Sequence, residues 1–170
     1  NISAEEVLGA MHIYAVSILE EINRFNFRQA LQTLMDLSTY GNQFLQNNAP
    51  WALAKTDPDQ ASRVLNMGLQ IVKLLGVLCA PFMPFTSEKI KLFLKNDQDI
   101  AWNTLKEKLK TGHSIIPENV RISDHFHLFT KIDDTLIQSK IDQLHAKTHQ
   151  TVTSMHIEYK PLNPSIQYDD

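Results

Sequence analysis

The stretch Asn42-Gln43-Phe44-Leu45-Gln46-Asn47-Asn48-Ala49-Pro50-Trp51 decides the reading of this chain, because a helical pattern stops there and a proline sets an indole at a helix corner. Upstream, Leu31, Leu34, Met35, Leu37, Phe44 and Leu45 fall at helical intervals, and the polar run Gln46 to Asn48 predicts fraying before Pro50. A ring as large as Trp51 at a polar corner needs a packing reason or a binding reason. By spacing alone it is a lid on the bundle end. The other reading is a platform for a flat partner.

Outward from that corner the chain predicts an all-α helical bundle. Ser3-Ala4-Glu5-Glu6 forms a capping box, and Val7, Leu8, Met11, Tyr14, Ala15, Ile18, Leu19 and Ile22 follow on one helical face. Asn26, with Gln29 three residues on, predicts the cap of a second helix, antiparallel to the first across the short Arg24-Phe25 junction. Asp57-Pro58-Asp59 starts a third, whose broad apolar face (Val64, Leu65, Gly68, Leu69, Ile71, Val72, Leu75, Leu78) makes it the central helix. Pro81 stops that helix and Pro84 opens a fourth through Ile90, Phe93 and Leu94. Leu105 to Leu109 supports one or two helical turns, Gly112 to Thr130 reads as an extended strap whose Phe126, Leu128 and Phe129 need burial, and a final helix starts near Ile132-Asp133-Asp134. Residues 1–147 are expected to form the helical domain, and the polar, proline-containing residues 148–170 a linker.

Composition narrows the function classes. With 170 residues, 43% apolar content and 21% charged, the chain is sized for one core rather than two domains. A net charge of −3 leaves no broad basic footprint, so any nucleic-acid contact must be local. The single cysteine, Cys79, excludes an internal disulfide and points to a reducing compartment. The chain opens on Asn1 without a secretory pattern and reads as a piece of a longer protein; no apolar run reaches membrane-spanning length, since Lys73 interrupts Ile71 to Leu78. No membrane partner is expected.

Catalytic and metal chemistry finds little support. His145 and His149 share a helix face but lack the adjacent Glu of a zinc protease, and His125 and His127 lack further ligands, so no metal site is expected. None of the five glycines falls at a phosphate-loop spacing, and no nucleophile elbow or paired-acid signature occurs. The chain by itself is expected to be neither catalytic nor cofactor-binding.

Asn42-x-Phe44 with Pro50-Trp51, then Leu78-x-x-Pro81-x-x-Pro84-x-x-Ser87-Glu88-x-Ile90, then Gly112-His113-x-Ile115, then Leu128-Phe129-x-Lys131-Ile132-Asp133 together resemble the helical anticodon-binding domain of methionyl-tRNA synthetase, a class I synthetase. The resemblance covers Phe25 to Lys147 and is to a piece of a eukaryotic-type enzyme. It implies the class I anticodon-binding bundle, with strap and final helix, that reads the CAU anticodon of methionine tRNA so that the full enzyme attaches methionine. Trp51 matches the residue that stacks on the first anticodon base, Pro50 fixes its approach, and Asn42 matches a supporting Asn at the corner. Arg24 and Arg28, four apart, are candidate phosphate contacts, although Glu20 and Glu21 compete for them. In the family an earlier helix carries an Asn and an Arg on the anticodon; no match for that pair exists here.

The resemblance also implies ATP and Mg2+ in the parent enzyme, a catalytic domain in the same chain toward which the strap runs, and a cytoplasmic location. Ser165 to Asp170 looks like the entry to an appended OB-fold tRNA-binding module. Alternatives from other classes are a helical protein-interaction scaffold and the anticodon domain of another class I enzyme, such as the leucine or cysteine one.

Overall fold

The computed structural model describes residues 4–95, 100–116, 122–124 and 126–154, with side chains through 147. Ser3 of the predicted capping box, His125, the stretch 117–121 of the strap and the segment from 155 onward lie outside the described residues. Among those described, seven helices and no strand are found: α1 (Ala4–Asn23), α2 (Phe27–Asn48), α3 (Pro50–Thr56), α4 (Pro58–Leu78), α5 (Pro84–Phe93), α6 (Trp102–Lys110) and α7 (Asp134–Ser154). The all-α class expected from periodicity is observed. Contacts divide the chain into one unit through Leu128 and another from Phe129.

In the first unit, α1 packs on α2, α4 and α6, and α4 packs on α2, α3 and α5. The shared core takes Val7, Met11, Ala15 and Ile18 from α1, Ala30, Leu34, Leu37 and Phe44 from α2, Val64, Ile71, Leu74 and Leu78 from α4, and Leu105 and Leu109 from α6. Each large side chain fully removed from water here contributes about 1.5–3 kcal/mol. Cys79 sits at the edge of this core, its thiol donating to the Gly76 carbonyl at 3.6 Å, and burial pushes its pKa up.

The central place of α4 is as expected, and so is most of its inward face: Val64, Gly68, Ile71 and Leu78 are buried, and Leu69, Val72 and Leu75 half-buried. Leu65 is exposed, whereas Gln70 and Lys73 are buried. Contrary to the sequence reading, Pro58–Leu78 is long and apolar enough to cross a membrane; half of the qualifying window is buried in the bundle, as a core helix would be. Its start is as predicted: Pro58 occupies the first helical position and the Asp57 carboxylate accepts the Gln60 N–H at 2.9 Å.

Other caps differ from expectation. Asn26 stands at the N-cap of α2 but caps nothing with its side chain; its amide donates instead to Glu21 Oε2 at 2.9 Å, across the turn. α2 does not fray over Gln46 to Asn48 but runs helically to Asn48. After α6, Gly112 takes φ +69°, and His113 N–H bonds back to the Lys108 carbonyl at 2.8 Å, the C-terminal geometry that glycine accommodates without strain.

The described part of the strap is tied down at three points. Ile115 and Ile116 are buried, the Ile115 N–H donates to Gln70 Oε1 at 2.9 Å, and Ser123 N–H donates to the Phe93 carbonyl at 2.8 Å. Lys89 Nζ adds a bond to the Leu128 carbonyl. Phe126 packs edge-on against Phe93 yet is exposed, as is Phe129, so the burial expected of these rings is not reached.

In the second unit, Asp133 caps α7 by accepting from Leu136 N–H at 2.9 Å and Thr135 Oγ1 at 2.6 Å; the Thr135 hydroxyl foremost, with the backbone N–H groups, holds its pKa below the usual value. The helix continues to Ser154, where composition had pointed to a linker from Thr148.

Candidate nucleic-acid interface

Three consecutive features build the corner that carries Trp51. A residue preceding proline is disfavoured in the right-handed helical region, so α2 cannot run through Ala49 into Pro50. Ala49 instead takes φ 39° and ψ 60°, closing α2 with a bond from its N–H to the Leu45 carbonyl at 2.9 Å. That left-handed alanine costs about 1–2 kcal/mol. The same residue then opens α3, its carbonyl accepting from Leu53 N–H at 3.2 Å, with Pro50 at the first helical position.

Pro50 is buried and Trp51, the next residue, is 58% exposed. The ring is therefore anchored through its backbone while much of its surface stays in water, which a lid on the bundle end would not do. α3 is short, seven residues, and packs on α4, with Leu53 turned toward the core.

Asn42 lies on an exposed face of α2, two turns before the corner, and makes none of the hydrogen bonds that hold it. Asn48, the last residue of α2, donates from Nδ2 to the Phe44 carbonyl at 2.8 Å, one turn back in the same helix. Sequence reasoning passed over Asn48 as part of a polar run.

Arg24 and Arg28 are not brought to the same place. Both flank the start of α2, and 22 residues of helix at about 1.5 Å each set them about 30 Å along its axis from the corner. Arg24 is shared between Glu20 at 3.6 Å and Glu21 at 3.4 Å, an exposed arrangement of small energetic weight. Arg28 lines an open depression of about 600 Å³ with Glu21, Asn26, Gln29 and Gln32. Beside it, Phe25, at φ 62° and 78% exposed, meets Phe27 edge-on.

Among the described residues, no group of three or more His, Cys, Asp or Glu side chains could hold a metal ion. What the corner offers is one large exposed ring beside a buried proline, a surface suited to stacking.

The model of the family described as the anticodon binding domain of methionyl tRNA ligase matches residues 4–148. The methionine–tRNA ligase of Flavobacterium psychrophilum is 37% identical over 169 residues, which cover 98% of this chain and 24% of that protein. The ligase of Cytophaga hutchinsonii is 32% identical over 170 residues, 99% of this chain and 23% of the relative. That of Phocaeicola vulgatus is 34% identical over 148 residues, 86% and 20% respectively. All three are bacterial and lend no support to a eukaryotic type. The chain spans about a quarter of the length of these relatives. A match over this much of the chain sets aside both an unrelated scaffold and the domain of a leucine or cysteine enzyme: the chain belongs to the family of anticodon-binding domains of methionyl-tRNA ligase.

Proposed function

We propose that this chain reads the CAU anticodon of methionine tRNA for a methionine–tRNA ligase, with Trp51 stacking on the first anticodon base and Pro50 fixing the ring. The observation that carries this reading is the exposed Trp51 ring beside the buried Pro50. Unpaired loop bases are recognised by being splayed out and stacked on aromatic rings, and each stack is worth about 1–3 kcal/mol, enough for discrimination without a basic surface. A net charge of −3 fits local contact of that kind. Asn42 supports the site only from a distance along α2. Arg24 and Arg28 serve as phosphate contacts only for RNA that runs along the bundle from the corner.

The family and the relatives' name further support a parent enzyme in which a catalytic domain of the same polypeptide, using ATP and Mg2+, attaches methionine. The parent is placed in the cytoplasm, with translation. Residues 1–147 are the anticodon domain on this reading, residues 148–170 lead toward an appended OB-fold tRNA-binding module, and no membrane is engaged.

The test uses the complete ligase that contains this chain. Trp51→Ala should lower tRNA charging about ten- to hundredfold, the equivalent of one stack. Methionyl-adenylate formation, measured by pyrophosphate exchange without tRNA, should stay within twofold of the wild type. Equal loss in both reactions would overturn the platform role.

A further inference from the structure

A small cavity of about 140 Å³ opens at the end of the bundle that carries the Trp51 corner, lined by Phe44 and Asn48 of α2, Gln60, Arg63, Val64 and Met67 of α4, and Ala4. Asn48 is the last residue of α2, three before Trp51, and Gln60 and Arg63 belong to the first two turns of α4, on which α3 packs. Its floor is apolar: Phe44 and Val64 are buried core residues and Met67 packs against them. Its rim is polar. Arg63 Nη2 donates to Gln60 Oε1 at 3.3 Å, which uses one of the five guanidinium N–H groups, and Asn48 spends its Nδ2 on the Phe44 carbonyl, leaving its own carbonyl oxygen as an acceptor.

We infer that this cavity is a second base subsite, taking one unpaired nucleobase next to the base stacked on Trp51; the inference rests on the anticodon-reading function proposed above. Size and chemistry both select that occupant. The volume equals about four or five waters at roughly 30 Å³ each, room for a single ring system and too little for a whole nucleotide. The apolar floor receives a flat ring, while planar guanidinium donors and an amide acceptor on the rim match a base edge that presents both an acceptor and an amino group. A phosphate would leave the floor without a partner and would face the Asn48 oxygen, which repels it.

The experiment measures binding of the complete ligase to RNA hairpins bearing the CAU loop and to the same hairpins made abasic at each anticodon position in turn. Arg63 is exposed and Gln60 half-buried, and neither belongs to the buried core, so their replacement leaves the core intact. Arg63→Met should weaken binding of the intact loop about tenfold, as loss of a hydrogen bond from a charged donor implies. Arg63→Lys should do the same, because it keeps the charge but not the planar donor pair. Both losses should vanish on the hairpin abasic at one position, different from the position whose removal cancels the effect of Trp51→Ala. Gln60→Ala should give a smaller loss with the same position dependence.

An equal loss on every hairpin, or full activity of Arg63→Lys, would make this a phosphate contact and overturn the inference. So would unchanged RNA binding accompanied by a lower melting temperature of the RNA-free ligase, which would assign the cavity to another part of the polypeptide. No effect of Trp51→Ala would instead overturn the underlying reading, whatever Arg63 shows.

Discussion

Gln70, 1% exposed in the middle of α4, uses both ends of its amide on the strap: Oε1 accepts the Ile115 N–H and Nε2 donates to Ser114 Oγ, which in turn donates to the Ile116 carbonyl at 2.6 Å. One side chain thus satisfies a backbone stretch that has no regular partner and draws Ile115 into the core. Gln70→Leu keeps the volume but leaves the buried Ile115 N–H unpaired, so denaturant unfolding should show a loss of about 1–3 kcal/mol. A neutral result would mean that the Gln70 bonds to the strap contribute nothing to the fold.

Among the glycines at helix contacts, Gly76, where α4 meets α5, has the least room. A Cβ added at Gly76 would stand 2.7 Å from Ile90 Cγ2, and Ser87 Oγ donates to the Gly76 carbonyl at 2.6 Å, so the helices meet backbone to side chain with no slack. Gly76→Ala should therefore destabilise by about 1–3 kcal/mol through overpacking. In an Ile90→Ala background the same substitution should cost far less, a coupling that a double-mutant cycle in urea measures directly. Most helices were legible because their apolar residues repeat at helical intervals and Asp57, Pro58 and Pro84 mark starts chemically. α3 was not, since Pro50 to Thr56 is under two turns and shows no repeat; its helical state follows from the proline and from packing on α4. Leu65 was put on the buried face of α4 because apolar residues read as inward-facing, and α7 was cut short because polarity at Thr148 says nothing about continuing backbone hydrogen bonds.

At the scale of the whole molecule, the bundle sets a buried proline and an exposed indole at one end of α2 and the pair Arg24 and Arg28 at the other. Trp51 could be singled out in the sequence because a large ring beside Pro50 breaks a polar run; Gln60 and Arg63 could not, because only the meeting of α2 with α4 gives them a shared cavity. The central claim is that the Trp51 ring itself lies against an anticodon base. The chain has two tryptophans, and Trp102 packs against the core, so Trp102→Phe leaves Trp51 as the sole indole reporter. Its emission should be quenched on titrating the complete ligase, with every tryptophan outside this chain also replaced, with a CAU hairpin. The quenching should disappear when the first anticodon position is abasic. Saturable binding of the CAU hairpin with no change in Trp51 emission would contradict the account.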